Sequence, residues 1–230
     1  MPVAGYATAI WGMKNFSKPN LIQNRAMRIF IGVHRFAPVA GLEGDMAWMS
    51  PQYRRWLSML RLWNRLVCMD TDRLTKRTFD YLYTASLNGC INWCNDVFNI
   101  LVDFDLQSAF DNKCTVNIDD CKAILANKQK DKWLQAIQNE PKLRFYALFK
   151  EYFDAEKYVK INFDSSERSV LAQIRFGTLP LHIETGRFSN TKLEDRKCYF
   201  CDLDKVEDEY QFLFECEVCV RHNETSGRIL

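Results

Sequence analysis

The stretch Ser50–Val67, SPQYRRWLSMLRLWNRLV, decides the fold class. Ser50 is a residue type that accepts hydrogen bonds from the free amides at a helix start, and Pro51 stands where a missing N–H costs nothing. Trp56, Met59, Leu60, Trp63, Leu66 and Val67 follow at i, i+3, i+4, i+7, i+10 and i+11, which places them on one helical face. Arg54, Arg61 and Arg65 line up on the far side. A half-buried strand would need alternation at every second residue, and no stretch of the chain shows it convincingly.

Outward from this helix the pattern continues. Upstream, Lys18-Pro19-Asn20 opens a helix with Asn20 as its cap. Ile22, Ala26, Ile29, Phe30 and Val33 recur as its buried stripe, while Arg25, Arg28 and Arg35 share another face. A loop runs through Gly41 and Gly44. Downstream, a helix starts near Asp72 and turns Leu74, Thr78, Tyr81, Leu82 and Ala85 inward. Helices are expected over Ile91–Val102, Ile118–Gln138 and Pro141–Ala155, with a polar loop at Asp103–Thr115. Asp164, with Glu167 three residues on, begins another helix that faces Val170, Leu171 and Ile174 inward and stops at Gly177. Thr178–His182 is extended or turning.

Composition agrees. Hydrophobic residues make up 47% of the 230 and charged residues 26%, enough for a real core, and nine Gly with six Pro favour long helices over a turn-rich sandwich. The net charge of +2 conceals an asymmetry: residues 1–80 hold 12 Lys/Arg against 5 Asp/Glu, and the rest of the chain is acidic. This is either ordinary surface charge or a basic face that meets phosphates through Arg25, Arg28, Arg54, Arg61 and Arg65. The start lacks the basic region of a secretory signal, and no apolar run approaches the roughly 20 residues that span a bilayer. Gly5–Trp11, GYATAIW, reads as the middle of an element, so the chain is expected to be the tail of a longer protein.

Nine cysteines without a signal sequence point to thiols or metal in a reducing compartment, nuclear or cytoplasmic. Four of them form two pairs, Cys198-Tyr-Phe-Cys201 and Cys216-Glu-Val-Cys219, fourteen residues apart. Two cysteines three apart wrap one side of a tetrahedral ion, and a second pair closes the other, so zinc in a structural site is expected at Cys198, Cys201, Cys216 and Cys219. His222 is the alternative fourth ligand. The competing reading is four buried or free thiols. Cys90 and Cys94, at i and i+4, read as core thiols beside Val97 and Leu101.

A catalytic constellation is not legible. His34, His182 and His222 lie in no pattern with a nucleophile and a carboxylate. No glycine-rich phosphate loop occurs. The acidic pairs Asp103/Asp105, Asp119/Asp120 and Asp202/Asp204 read as solvated, with Asp119/Asp120 suited to a helix start.

Six stretches carry a resemblance: Ala9–Phe16 (AIWGMKNF), Ile22–Val33 (IQNRAMRIFIGV), Gly44–Trp48 (GDMAW), Arg65–Arg77 (RLVCMDTDRLTKR), Arg175–Phe188 (RFGTLPLHIETGRF) and Glu194–Cys216. In this order the chain resembles, over nearly its whole length, the C-terminal part of reverse-transcriptase polyproteins of non-LTR, LINE or jockey-like retrotransposons. The resemblance implies a helical region after the polymerase domain, ending in a zinc-knuckle-like module, with RNA or DNA and the upstream reverse transcriptase domain as partners. The family's zinc ligands would fall on Cys198, Cys201 and Cys216, and its histidine on Gln211, a poor zinc ligand. Cys219 then restores a paired-cysteine geometry. The polymerase's Tyr-x-Asp-Asp motif is missing, since Asn117-Ile118 precedes Asp119-Asp120.

The expected fold is therefore mainly α. A multi-helix bundle over residues 1–190 would carry a small C-terminal zinc-binding module over 191–230. The expected role is non-catalytic: positioning RNA or DNA, or else a structural or protein-interaction domain with no nucleic-acid role.

Overall fold

The computed structural model describes residues 7–13, 17–161 and 163–218. Eleven α-helices are described: α1 (Thr8–Trp11), α2 (Ser17–Ile31), α3 (Val39–Met46), α4 (Pro51–Val67), α5 (Leu74–Leu87), α6 (Trp93–Asp103), α7 (Gln107–Asp111), α8 (Ile118–Asn139), α9 (Lys157–Lys160), α10 (Ser165–Arg175) and α11 (His182–Thr185). No strand forms among the described residues; an isolated antiparallel bridge joins Lys197 to Val206. No described helix is long and apolar enough to cross a membrane. The chain divides into two compact units, residues 1–23 with 49–131, and residues 24–48 with 132–230.

The first unit is built around α4. The Ser50 side chain accepts from the Tyr53 amide at 3.2 Å, and Pro51 opens the helix as the sequence requires. Met59, Leu60 and Trp63 are fully buried, packed with Phe79 and Tyr83 of α5, Val97 and Leu101 of α6, and Phe110 of α7. Trp63 stacks on Phe110 and meets Phe79 edge-on. Its indole N–H donates to the Cys114 carbonyl, so the polar atom of this core ring is satisfied. Lys76 is buried, and its ammonium donates to the Leu66 and Val67 carbonyls, which supplies positive charge at the α4 C-terminus.

The second unit closes around Met27, Leu42, Trp133, Tyr146 and Phe176. Asp45 is its polar centre. The fully buried carboxylate accepts from Arg175 Nε and Nη2 at 2.9 and 2.7 Å, from Tyr146 at 2.9 Å and from Tyr158 at 2.6 Å. A buried charge with this many donors is stable, because its lost hydration is replaced. Burial, then the neighbouring Asp45 charge, raises both phenols' pKa values above the ordinary tyrosine range.

Several expected elements differ. Gly41 and Gly44 lie in α3, not in a loop. A Cβ on Gly44 would sit 2.3 Å from Tyr146 Oη and 2.6 Å from Trp133 Nε1, so this helix uses glycine for close packing. The polar loop at 103–115 contains α7, fixed by Phe110 in the core. Pro141–Ala155 is not a helix; two short 3₁₀ turns, Pro141–Leu143 and Tyr146–Leu148, replace it. Helix α2 begins at Ser17, so Asn20 lies inside it, and its buried residues are Gln23, Met27 and Ile31 while Ile22 and Ile29 are exposed. On α5 the buried face is Lys76, Phe79, Tyr83 and Ser86, and Leu74 and Tyr81 point outward. Cys90 precedes α6 and is exposed, whereas Cys94 is buried as expected. Helix α10 follows its expected limits: Asp164 accepts from the Ser166 amide, and Gly177, at φ +59°, ends the helix as the Thr178 amide returns to the Gln173 carbonyl.

Candidate metal centre and cationic cleft

The Cys198–Cys216 segment belongs to the second unit. Its anchor is a short antiparallel pairing. The Cys198 amide donates to the Lys205 carbonyl, the Glu207 amide donates to the Arg196 carbonyl, and the Lys197–Asp204 ion pair spans the ends. This pairing forces the chain between into a turn carrying Cys198 and Cys201, with the Phe200 amide aimed at Cys198 Sγ at 3.5 Å. The segment is held to the unit's body by Arg144, which bridges Glu184 at 2.8 Å and Glu209 at 2.7 Å. Burial raises the Glu209 pKa above the ordinary glutamate value, against the opposing pull of Arg144. Glu207 is buried and accepts from the His182 amide at 2.6 Å.

The third sulfur arrives on a different element. Residues Gln211–Glu215 form a π-helical turn, closed by the Cys216 amide donating to the Gln211 carbonyl at 2.8 Å. That i→i+5 bond carries Cys216 one full turn beyond Gln211 and back toward the first two cysteines. The sulfurs of Cys198, Cys201 and Cys216 all lie within 4.8 Å of one another. Cys198 and Cys216 are buried, their sulfurs 4.0 Å apart, and Cys201 is half-buried. Tetrahedral zinc with Zn–S of about 2.3 Å places its sulfurs about 3.8 Å apart, which the Cys198–Cys216 pair approaches at 4.0 Å. The three thiols form a group that could hold a metal ion.

Two sequence-expected ligands, Cys219 and His222, lie outside the described residues. His182 is not part of the cluster; its Nδ1 faces the Lys197 carbonyl at 2.9 Å and its Nε2 the Tyr199 hydroxyl at 3.0 Å. Gln211 is drawn in: its Nε2 donates to Cys201 Sγ at 3.2 Å. Around the cluster stand exposed rings that sequence reading passed over. Tyr199 is 78% exposed and Phe200 63%, both between the first two cysteines, and Tyr210 pairs with Phe214 on the π turn.

The five expected phosphate-binding arginines divide between the units. Arg25 and Arg28 belong to the second. Arg25 is exposed, and Arg28 donates to the Ala37 carbonyl at 3.1 Å. In the first unit Arg54 and Arg61, one face of α4, line a shallow cleft with Met49, Leu57, Ser58 and Lys122. Lys122, from α8, was not singled out by sequence because nothing in the primary structure places it beside α4. None of these three cations makes an ion pair among the described residues; Arg54 donates to Gln23 Oε1. Desolvation lowers the pKa values of Arg28 and Arg54, yet a guanidinium stays charged near neutrality. Arg65 is not in this cleft. It lines a separate depression with Cys68, Met69, Asp70 and Arg73.

The acidic pairs behave as surface groups. Asp103 pairs with Lys128 at 2.8 Å, Asp119 and Asp120 lie in the first turn of α8, and Asp204 pairs with Lys197. The chain matches no protein-family model, no curated protein and no solved structure.

Proposed function

We propose that this chain is the non-catalytic C-terminal region of a non-LTR retrotransposon reverse transcriptase, and that it holds RNA or DNA by the phosphates for a polymerase domain encoded upstream. One observation carries the reading: Arg54, Arg61 and Lys122 converge on a single open cleft with no carboxylate paired to them among the described residues. Such cations attract a polyanion at long range and release its counterions on contact. The exposed Tyr199 and Phe200 rings offer stacking faces for unpaired bases.

Zinc is the ion that the cysteine cluster would take in this reading. Three thiolates suit a borderline-soft, redox-inert cation, and a closed site adds folding energy to a segment too short to bury a core of its own. Cys198, Cys201 and Cys216 would hold it. The reducing nucleus or cytoplasm fits thiols that must stay free to ligate.

The test is fluorescence anisotropy of the full chain with a labelled single-stranded RNA and a duplex DNA at two salt concentrations. Binding that weakens steeply with salt supports the proposal, and no binding at low salt defeats it. A second reading, a protein-interaction domain, is favoured by the apolar residues that α5 and the following turn leave exposed: Leu74, Tyr81, Leu87 and Ile91. It predicts the second outcome.

A further inference from the structure

We infer that the turn at residues 34–37 is a stacking platform for a single strand of nucleic acid, which rests on the reading of this chain as a nucleic-acid binder. An unpaired base lies on the Phe36 ring, and the phosphates beside it meet the neighbouring arginines.

The platform follows from the way α2 ends. Gly32 takes φ +85°, and the Gly32 and Val33 amides both return to the Arg28 carbonyl, which closes the helix. The chain then reverses, with the Ala37 amide donating to the His34 carbonyl at 2.9 Å. This leaves Arg35 and Phe36 at the two corner positions of a β-turn. Arg28 braces the turn from α2, its Nη2 donating to the Ala37 carbonyl at 3.1 Å. Phe36 is 62% exposed at this corner. The Arg35 guanidinium lies 4.7 Å from the Phe36 ring centroid, and the His34 ring stands 5.0 Å away at 46°. A cation held against a ring sets a phosphate donor directly beside a stacking face.

Helix α10 meets the end of α2 here. The Ser169 hydroxyl donates to the Gly32 carbonyl at 2.6 Å, and Arg168 lies 4.6 Å over the ring of half-exposed Phe30. Arg168 makes no ion pair among the described residues, and its Nε has no hydrogen-bond partner there. Arg25 and Arg35 are exposed and likewise have no carboxylate partner among the described residues. Glu43 is the first acidic residue of the chain, so α2 and its turn carry their cations unopposed from within. On α10, Asp164 is committed to the Ser166 amide.

The shape favours a single strand over other anionic partners. A ring at the corner of a turn fits between splayed bases, whereas an acidic helix needs a groove to lie in. In a duplex the bases are stacked on one another, so the ring finds no free face.

The experiment is fluorescence anisotropy of the full chain with a labelled oligouridine and with a duplex of equal length. Phe36→Ala should weaken the single strand about tenfold and leave the duplex unchanged. The slope of log affinity against log salt should not move, because a ring neutralises no phosphate. Phe36→Leu keeps the bulk without the π-face and should lose nearly as much. Phe36→Trp should hold or gain affinity, and it reports even where the smaller side chains disturb the turn. Equal losses on single strand and duplex, or unchanged single-strand binding in all three variants, would overturn the platform while leaving phosphate binding by the cleft in place. Sedimentation with vesicles of phosphatidylcholine and phosphatidylserine that depends on Phe36, with the single strand unaffected, would overturn it in favour of a membrane surface. A wild-type chain that binds neither nucleic acid removes the underlying reading as well, a failure visible before any variant is made.

Discussion

Replacing Arg54, Arg61 and Lys122 together by alanine measures what the cleft does. All three are exposed and line the same depression, and none takes part in the hydrophobic core, so the fold should tolerate their loss. If each neutralises one phosphate, the slope of log affinity against log salt falls by about 2.7 on duplex DNA and about 2.1 on a single strand, from about 0.9 and 0.7 per contact. Between 50 and 200 mM salt those three contacts alone account for a loss of about 40-fold on the duplex and about 20-fold on the single strand. The variant should therefore bind more weakly at low salt and show a flatter salt dependence, while circular dichroism stays unchanged. Anisotropy titrations at four salt concentrations read the slopes. Equal slopes for wild type and variant would refute the reasoning even if the affinity dropped, because a drop without a slope change is not phosphate neutralisation.

Three further outcomes follow from the packing. Asp45→Ala leaves the Arg175 guanidinium buried without its bidentate partner, and should cost about 3–5 kcal/mol in urea unfolding, far more than Asp103→Ala at the surface. Gly44→Ala drives a methyl group into Tyr146 and Trp133 and should cost about 1–3 kcal/mol or more, whereas Gly89→Ala meets no atom within 4 Å and is limited to the strain of its positive φ. Burial pushes the Cys94 thiol up to about 11. A group whose folded pKa lies above its unfolded value loses its stabilising contribution as pH rises through that interval, so stability should decline from the ordinary thiol range toward pH 11. Denaturation across that range should show a shallower decline in Cys94→Ala.

Helical class was legible because α4 obeys strict periodicity and carries both a cap and an N1 proline, and α10 because Asp164 and Gly177 mark its ends. The faces of α2 and α5 were not. Their sequences place apolar residues on more than one side, so periodicity alone chose Ile22 and Ile29, or Leu74 and Tyr81, where packing buries Met27 and Ile31, or Phe79 and Tyr83. Lys76 defeats hydropathy altogether, since a lysine enters the core only by meeting carbonyls that another helix presents. Gly41 and Gly44 read as breakers, yet bulky neighbours from far along the chain need the room they leave. At the candidate site, the spacing of Cys198 and Cys201 and the later Cys216 pointed to the cluster. The resemblance alone pointed to Gln211, whose contact with Cys201 depends on a π-helical turn that no residue pattern announces, and the placing of Lys122 depends on the approach of α8 to α4.

Native mass spectrometry of the full chain, purified without chelator, tests the metal centre most directly. The account predicts one zinc per chain, lost in Cys198→Ser and in Cys216→Ser together with protection of residues 197–216 from proteolysis. A metal-free wild-type chain, equally protected before and after chelator treatment, would contradict it.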